Sequence, residues 1–159
     1  MRVGIGYDSH RFDADRPLVL GGVEIPDVPG LAGHSDADAV AHAVIDAVLG
    51  AAGRGDIGQW FPADDPRWSG ADSMALLRQV VGTVQADGLR VGNVDVTVVC
   101  EQPRLAPHVA GMRASLAAAL DVALDAVSIK GKSNEGMGWI GRGEGVAVLA
   151  VALLVHPGD

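Results

Sequence analysis

The sequence predicts an α/β fold of the α+β kind: one domain (1–159) with a mixed β-sheet whose helices lie on one face. Three observations carry that expectation. β-Branched apolar runs alternate with amphipathic helical patterns along the chain. The last apolar run, Val146–Val155, is nearly continuous, so its strand must be covered on both sides. Three long helical patterns are too few for two sheet faces, so the second face is expected to bury against another subunit. With 159 residues, 48% of them hydrophobic, the chain can bury one core. It contains no internal repeat, low-complexity segment or linker.

Arg2–Asp8 reads as a strand with small residues on one side. Leu18–Pro26 holds two short apolar runs around Gly21-Gly22, a hairpin pattern. Ser35-Asp36-Ala37-Asp38 matches a capping box, opening a helix that runs to about Ala52. Ala39, Val40, Ala43, Val44, Ala47 and Val48 form its apolar face, and Asp38, His42 and Asp46 form a polar line at spacing four. Gly53–Pro66 reads as a turn-rich loop. A second helix is expected over about Ala71–Asp87, stopped by Gly88. Val91–Cys100 is a central strand by its β-branched content. Pro103 ends that strand, and Leu105–Leu120 is a third helix. Val127–Ser133 is a further strand, leading into the glycine-rich NEGMGWIGRGEG. Preceding glycines, valine content and the following Pro157 favour a strand for Val146–Val155.

A net charge of −8 argues against nucleic-acid binding, since no basic stripe is available for phosphates. One cysteine excludes an internal disulfide. The start MRVGIGYDSH lacks a leader pattern and the apolar runs are too short to span a bilayer, so a soluble, cytoplasmic protein is expected. Gly4-x-Gly6 lacks the third glycine and the helix of a dinucleotide site, and Gly141-Arg-Gly-Glu-Gly145 enters a strand.

The chemistry concentrates at Asp8, His10 and His42. In a strand, positions 8 and 10 share a face. One carboxylate and two imidazoles make a donor set with room for a fourth ligand, the arrangement of catalytic zinc, although Mn²⁺ or Co²⁺ also suits it. Asp38 and Asp46, at i−4 and i+4 of His42, are candidates to accept its second ring N–H.

GYDSHRF (6–12), LVLGGVEIP (18–26), GHSDADAVAHAVIDAVLGAAGRGDIGQWFPADDP (33–66), GNVDVTVV (92–99) and GRGEG (141–145) occur in order. Together they closely resemble the 2-C-methyl-D-erythritol 2,4-cyclodiphosphate synthases of non-mevalonate isoprenoid biosynthesis. The resemblance implies a homotrimer whose sheets surround a three-fold axis, with active sites between subunits. It implies that 4-diphosphocytidyl-2-C-methyl-D-erythritol 2-phosphate is cyclised with release of CMP. Asp8, His10 and His42 would then hold Zn²⁺ (or Mn²⁺). His34 would stabilise the transition state, with Ser35 bonding phosphate beside it. Asp56, Ile57 and Gly58 would bind the methylerythritol hydroxyls, in a pocket bordered by Phe61, Pro62, Ala63, Asp64 and Asp65.

From the neighbouring subunit, Cys100, Glu101, Gln102, Pro103, Arg104, Leu105 and Ala106 would wall the cytidine. Lys132, Ser133, Asn134 and Glu135 would contact the diphosphate, Ser133 as a second stabilising group and Glu135 as a ligand to Mg²⁺ or Mn²⁺. Some relatives carry threonine at both 132 and 133; the hydroxyl survives here at Ser133, and Lys132 adds a charge. Trp139 and Arg142 would edge the site, and with Tyr7 and Glu144 would line an axial channel that can hold an isoprenoid diphosphate. Taken alone, Asp56 also reads as a turn cap, Ser133 as an edge hydroxyl, and Arg142 with Glu144 as an ion pair. A trimeric ligand-binding module with a structural metal, or a metal-dependent hydrolase, are the alternatives in function.

Overall fold

Strand alternation organises the first element. In the computed structural model, which describes residues 1–158, β1 runs from Arg2 to Asp13, well past the expected end at Asp8. Its partners explain the extension. The closing strand pairs antiparallel along it from Arg2↔Leu154 to Arg11↔Gly145, and the short Gly30–Leu31 strand takes Phe12 and Asp13. In chain order the strands are β1, β2 (Leu18–Leu20), β3 (Val23–Ile25), β4 (Gly30–Leu31), β5 (Arg90–Val99), β6 (Val127–Lys132) and β7 (Gly145–Val155). β2 and β3 form the expected hairpin around Gly21 and Gly22, both at positive φ. The others form one mixed sheet of order β4-β1-β7-β5-β6, with β5 and β6 parallel and the rest antiparallel.

The helices are α1 (Ala39–Ala52), α2 (Ile57–Trp60), α3 (Ser73–Ala86), α4 (Val109–Leu120) and α5 (Gly138–Gly141). α1 lies on β1 and β7, α3 packs on α1, and α4 packs on α3 and β6. The covered face of the sheet includes the row Gly6–Ala150–Val96–Ile129, with Ala150 and Val96 fully buried. The neighbouring row, Tyr7–Leu149–Thr97–Lys130, points the other way. Val3, Ile5, Tyr7, Leu149 and Val151 are exposed on that second face of the single chain. The expected layer of helices on one face is therefore observed.

Two glycines let α1 sit directly on the strand. A Cβ at Gly4 would stand 2.0 Å from the carbonyl oxygen of Ala47, and one at Gly6 would stand 1.9 Å from that of Ala43. Any side chain there would meet backbone that cannot rotate away.

Several boundaries differ from expectation for local reasons. Asp38, not Ser35, caps α1, its carboxylate accepting the N–H groups of Val40 and Ala41. The 53–66 segment holds α2, because Asp56 caps a single helical turn. Asp72 caps α3, which begins at Ser73. α4 starts only at Val109, since Leu105 accepts from His108 and Val109 in a preceding turn. Among the described residues no helix is long and apolar enough to cross a membrane.

Candidate metal centre and its adjoining cavities

Even-numbered residues of β1 face α1, so the strand that carries Gly4 and Gly6 presents Asp8 and His10 on the same side. The opening turns of α1 bring His42 over them. Asp8 Oδ2 lies 2.9 Å from His10 Nε2 and 3.1 Å from His42 Nδ1. One ligand atom from each residue lies within 4.8 Å of the others, and all three side chains are partly buried.

The outer hydrogen bonds fix what those atoms offer. His10 Nδ1–H donates to the Ala32 carbonyl at 2.5 Å, which leaves its Nε2 lone pair toward Asp8. Ser73 Oγ donates to the Asp36 carboxylate, so it accepts from His42 Nε2–H at 2.8 Å. His42 Nδ1 then also turns a lone pair toward Asp8. Two imidazole lone pairs and a carboxylate oxygen converge on one point, which is the donor chemistry of a divalent cation with nitrogen and oxygen ligands. Burial by itself would raise the Asp8 carboxyl, but with hydrogens in place of a cation on the two ring nitrogens that face it, the N–H bonds and charge of His10 and His42 outweigh burial and bring it to about 2. Burial opposes protonation of His10, yet the Asp8 carboxylate and the Ala32 carbonyl raise it, against the charge of Arg16. Proton and cation compete for the same lone pairs.

The cluster sits at the edge of a cavity of about 240 Å³ lined by Asp8, His10, His34, Ser35, His42, Ile57, Gly58, Phe61, Ala63, Trp68 and Leu76. Sequence reasoning missed Trp68 and Leu76. Leu76 carries the same spacing as its core neighbours on α3, and Trp68 lies in a non-periodic segment where only the tertiary fold turns it inward, edge-on to Phe61 at 5.0 Å. Arg16 ties down the neighbouring loop by donating to the carbonyls of Gly33 and Ser35. His34 is exposed, with Nε2 3.3 Å from the Asp65 carbonyl. Asp65 spends its carboxylate on Arg67, which holds it below the usual carboxylate range. Asp56 is held low in the same way by bonds from the Gln59 side chain and backbone. Pro62, Asp64, Asp56 and Asp65 flank the cavity without lining it.

The two aspartates expected behind His42 are engaged elsewhere. Asp38 is fully buried and accepts four backbone N–H groups, from Gly21, Gly22, Val40 and Ala41, at 2.7–3.0 Å. It fastens the hairpin to α1. Asp46 accepts the Ile57 N–H at 2.7 Å and fastens α2 to α1. Its burial raises its carboxyl, against that bond and with help from the Asp56 and Asp8 charges. The partners of His42 Nε2 are Ser73 and Ser35, the latter at 3.0 Å. A serine following Asp72 reads in sequence as a plain helix start, which is why Ser73 gave no signal.

A separate cavity of about 410 Å³ gathers Cys100, Glu101, Pro103, Arg104, Leu105, Ala106, Lys132 and Ser133, together with Val109 and Gly131, which were not foreseen. Glu101 accepts the N–H groups of Asn134 and Gly136, pinning the glycine-rich turn after β6. Ser133 Oγ donates to Glu135 Oε1 at 2.8 Å. Burial, reinforced by Glu101, pushes the Cys100 thiol up to about 11. Gln102 borders a smaller hollow with Phe12, Val28, Pro29, Glu101 and Gly143. Trp139 borders a further hollow with His10, Phe12 and Glu144, and Arg142 pairs with Glu144 at 2.6 Å. Glu135 and Ser133 thus belong to a different part of the chain's surface from Asp8, His10 and His42.

The YgbB family profile matches residues 1–155. A protein of Gemmatimonas aurantiaca named 2-C-methyl-D-erythritol 2,4-cyclodiphosphate synthase is 54% identical over the whole chain and 96% of its own length. One of Symbiobacterium thermophilum with the same name is 56% identical over 97% of this chain and 98% of its own. A solved structure described as 2C-methyl-D-erythritol-2,4-cyclodiphosphate synthase, bound form CDP, superposes with a TM-score of 0.89 at 38% identity, covering 97% of this chain and 100% of that one.

Proposed function

The chain belongs to the YgbB family, and from that premise we propose that it cyclises 4-diphosphocytidyl-2-C-methyl-D-erythritol 2-phosphate to 2-C-methyl-D-erythritol 2,4-cyclodiphosphate, releasing CMP. The observation that carries this reading is the convergence of Asp8, His10 and His42 at the rim of a pocket, in a chain similar to these synthases from end to end. The whole of 1–159 is one synthase domain, acting in the cytoplasm as a phosphorus–oxygen lyase.

In this reaction an oxygen of the 2-phosphate bonds to the β-phosphorus, and the bond from that phosphorus to the CMP oxygen breaks. The attacking phosphate is already ionised at neutral pH, so no side chain need remove a proton. What remains is positioning and neutralisation of charge. Zn²⁺ (or Mn²⁺) on Asp8, His10 and His42, and Mg²⁺ or Mn²⁺ reached by Glu135, would supply Lewis-acid polarisation of the phosphate oxygens. His34 and Ser35 stand beside the first cluster to bond the transferring phosphate. Ile57 and Gly58, with Asp56, take the methylerythritol hydroxyls, while Phe61, Pro62, Ala63, Asp64 and Asp65 close that pocket.

The second cavity takes the cytidine between Cys100 and Ala106, and Lys132, Ser133 and Asn134 take the diphosphate. CDP bound by the related structure supports a cytidine pocket. Because the two cavities are separate on one chain, a complete site needs two chains, in a homotrimer that buries the second sheet face around its axis. Trp139 and Arg142 edge the site, and with Tyr7 and Glu144 they line an axial channel suited to an isoprenoid diphosphate.

Incubation with the cytidyl substrate and Mg²⁺, followed by ³¹P resonance, tests the reading. Cyclic diphosphate with CMP is expected. Linear hydrolysis products would make the protein a hydrolase, and no turnover would leave a binding module.

A further inference from the structure

We propose that Ser73, locked by Asp36, sets the tautomer and orientation of His42, a positioning role that rests on reading Asp8, His10 and His42 as a metal site. Ser73 is fully buried at the start of α3, and both of its hydrogen-bonding hydrogens go to one carboxylate. Its N–H donates to Asp36 Oδ2 at 3.0 Å and its hydroxyl donates to Asp36 Oδ1. Asp36 is itself held from both sides, since its N–H donates to the Ala71 carbonyl at 3.0 Å and its carboxylate accepts the Asp38 N–H at 3.2 Å. A carboxylate can only accept, so the Ser73 hydrogen is committed, and the oxygen has only lone pairs left for His42 Nε2 at 2.8 Å.

That polarity runs through the ring. Nε2 carries the hydrogen, Nδ1 does not, and the Nδ1 lone pair faces Asp8 Oδ2. Ser35 cannot impose the same choice. Its oxygen accepts the Ala37 N–H at 3.1 Å while its hydroxyl hydrogen remains free to rotate toward either neighbour, so it tolerates both tautomers. Asp38 and Asp46 are excluded because the ring nitrogens of His42 face Asp8, Ser73 and Ser35 instead. Donation therefore runs one way, from the His42 ring N–H to the Ser73 hydroxyl and from that hydroxyl to the Asp36 carboxylate, which leaves Nδ1 as the ligand atom. Such outer bonds raise ligand basicity and fix ring orientation, and their loss costs about 10- to 100-fold in metal affinity.

The test is titration of metal-free full-length protein with Co²⁺, read by its visible absorption. Wild-type protein is expected to bind with a four- or five-coordinate spectrum, Ser73→Ala to bind about 10- to 100-fold more weakly with an altered spectrum, and Ser73→Thr to recover. Equal affinity and spectra for wild type and Ser73→Ala would overturn the positioning role while leaving the metal site standing. No binding by wild type would overturn the metal site, and the proposal with it. Should Ser73→Ala fail to fold by circular dichroism, the ¹⁵N-histidine spectrum of zinc-loaded wild-type protein decides. An Nε2–H tautomer at His42 is expected, and an Nδ1–H tautomer there would refute the proposal.

Discussion

His42 is the residue at which helix and strand chemistry meet. Its ring bridges Asp8 of β1 and Ser73 of α3, so His42→Ala removes one of the three candidate ligands and leaves the two on the strand in place. Turnover is expected to fall to background while the far-ultraviolet circular dichroism is unchanged; retained activity would remove His42 from the metal site. Cys100 offers a different reading of burial. Its thiol is raised from 9.0 to about 11, so the folded state favours the protonated form. The resulting stability is fully present below pH 9 and is lost as pH rises toward 11. Alkylation by iodoacetamide at pH 8 is expected to be slow in the folded protein, to quicken in alkali, and to be fast at pH 8 in denaturant. Equal rates at pH 8 with and without denaturant would contradict the buried thiol.

Residue by residue, local periodicity made the three candidate ligands legible, while His34, Ser35, Ile57, Gly58, Phe61 and Ala63 came with the family resemblance. Asp8 and His10 could be placed together because strand side chains alternate, and His42 because its helix carries a polar line. Ser73, Trp68 and Asp36 take their roles from contacts between segments far apart in sequence, which no local spacing reports. Asp38 and Asp46 misled for the complementary reason. The spacing put them on the correct helix face, but backbone N–H groups from the hairpin and from α2 claimed their carboxylates first.

At the scale of elements, the contact of α1 with β1 positions the centre. Gly6 lies under Ala43, the neighbour of His42, so a methyl group at Gly6 would push the helix away from the strand that holds Asp8 and His10. Gly6→Ala is expected to cost about 1–3 kcal/mol or more, because the obstacle is a carbonyl and not a mobile side chain. The same variant should weaken metal binding without touching a ligand. Denaturant titration beside a Co²⁺ titration checks both, and an unchanged midpoint would show that the helix can yield. Strands and long helices were readable here from valine runs and capping residues, whereas α2 was hidden inside a segment rich in glycine and proline. Its single turn is held by Asp56 and Asp46, and its two core-facing apolar residues, Ile57 and Trp60, are too few to show a helical period.

For the whole molecule, the second sheet face divides in two. Val3, Ile5, Tyr7, Leu149 and Val151 make an apolar half, while Asp95 and Lys130 pair at 2.5 Å across the β5–β6 half. A chain with this face bare exposes an extended apolar surface of the kind that subunits bury. Ile5→Glu is therefore expected to yield a monomer by sedimentation velocity, inactive yet still able to bind Co²⁺ at Asp8, His10 and His42. A trimer that survives that charge would place the contact elsewhere. The uncovered sheet face was legible from too few helices; the expectation that Cys100–Ala106 and Lys132–Glu135 act from a neighbouring subunit came only with the family resemblance, since periodicity does not report where β6 and the segment after β5 lie relative to β1.

The separation of those two cavities has a genetic corollary. In the proposed homotrimer, chains carrying His42→Ala and chains carrying Ser133→Ala would each assemble into dead rings, but every mixed ring of three would contain one junction where the proposed metal half and the proposed nucleotide half are both intact. Equal co-refolding of the two should revive about a quarter of the sites, by simple counting on a cyclic trimer. Silence from the mixture would mean that both halves of each site come from a single polypeptide.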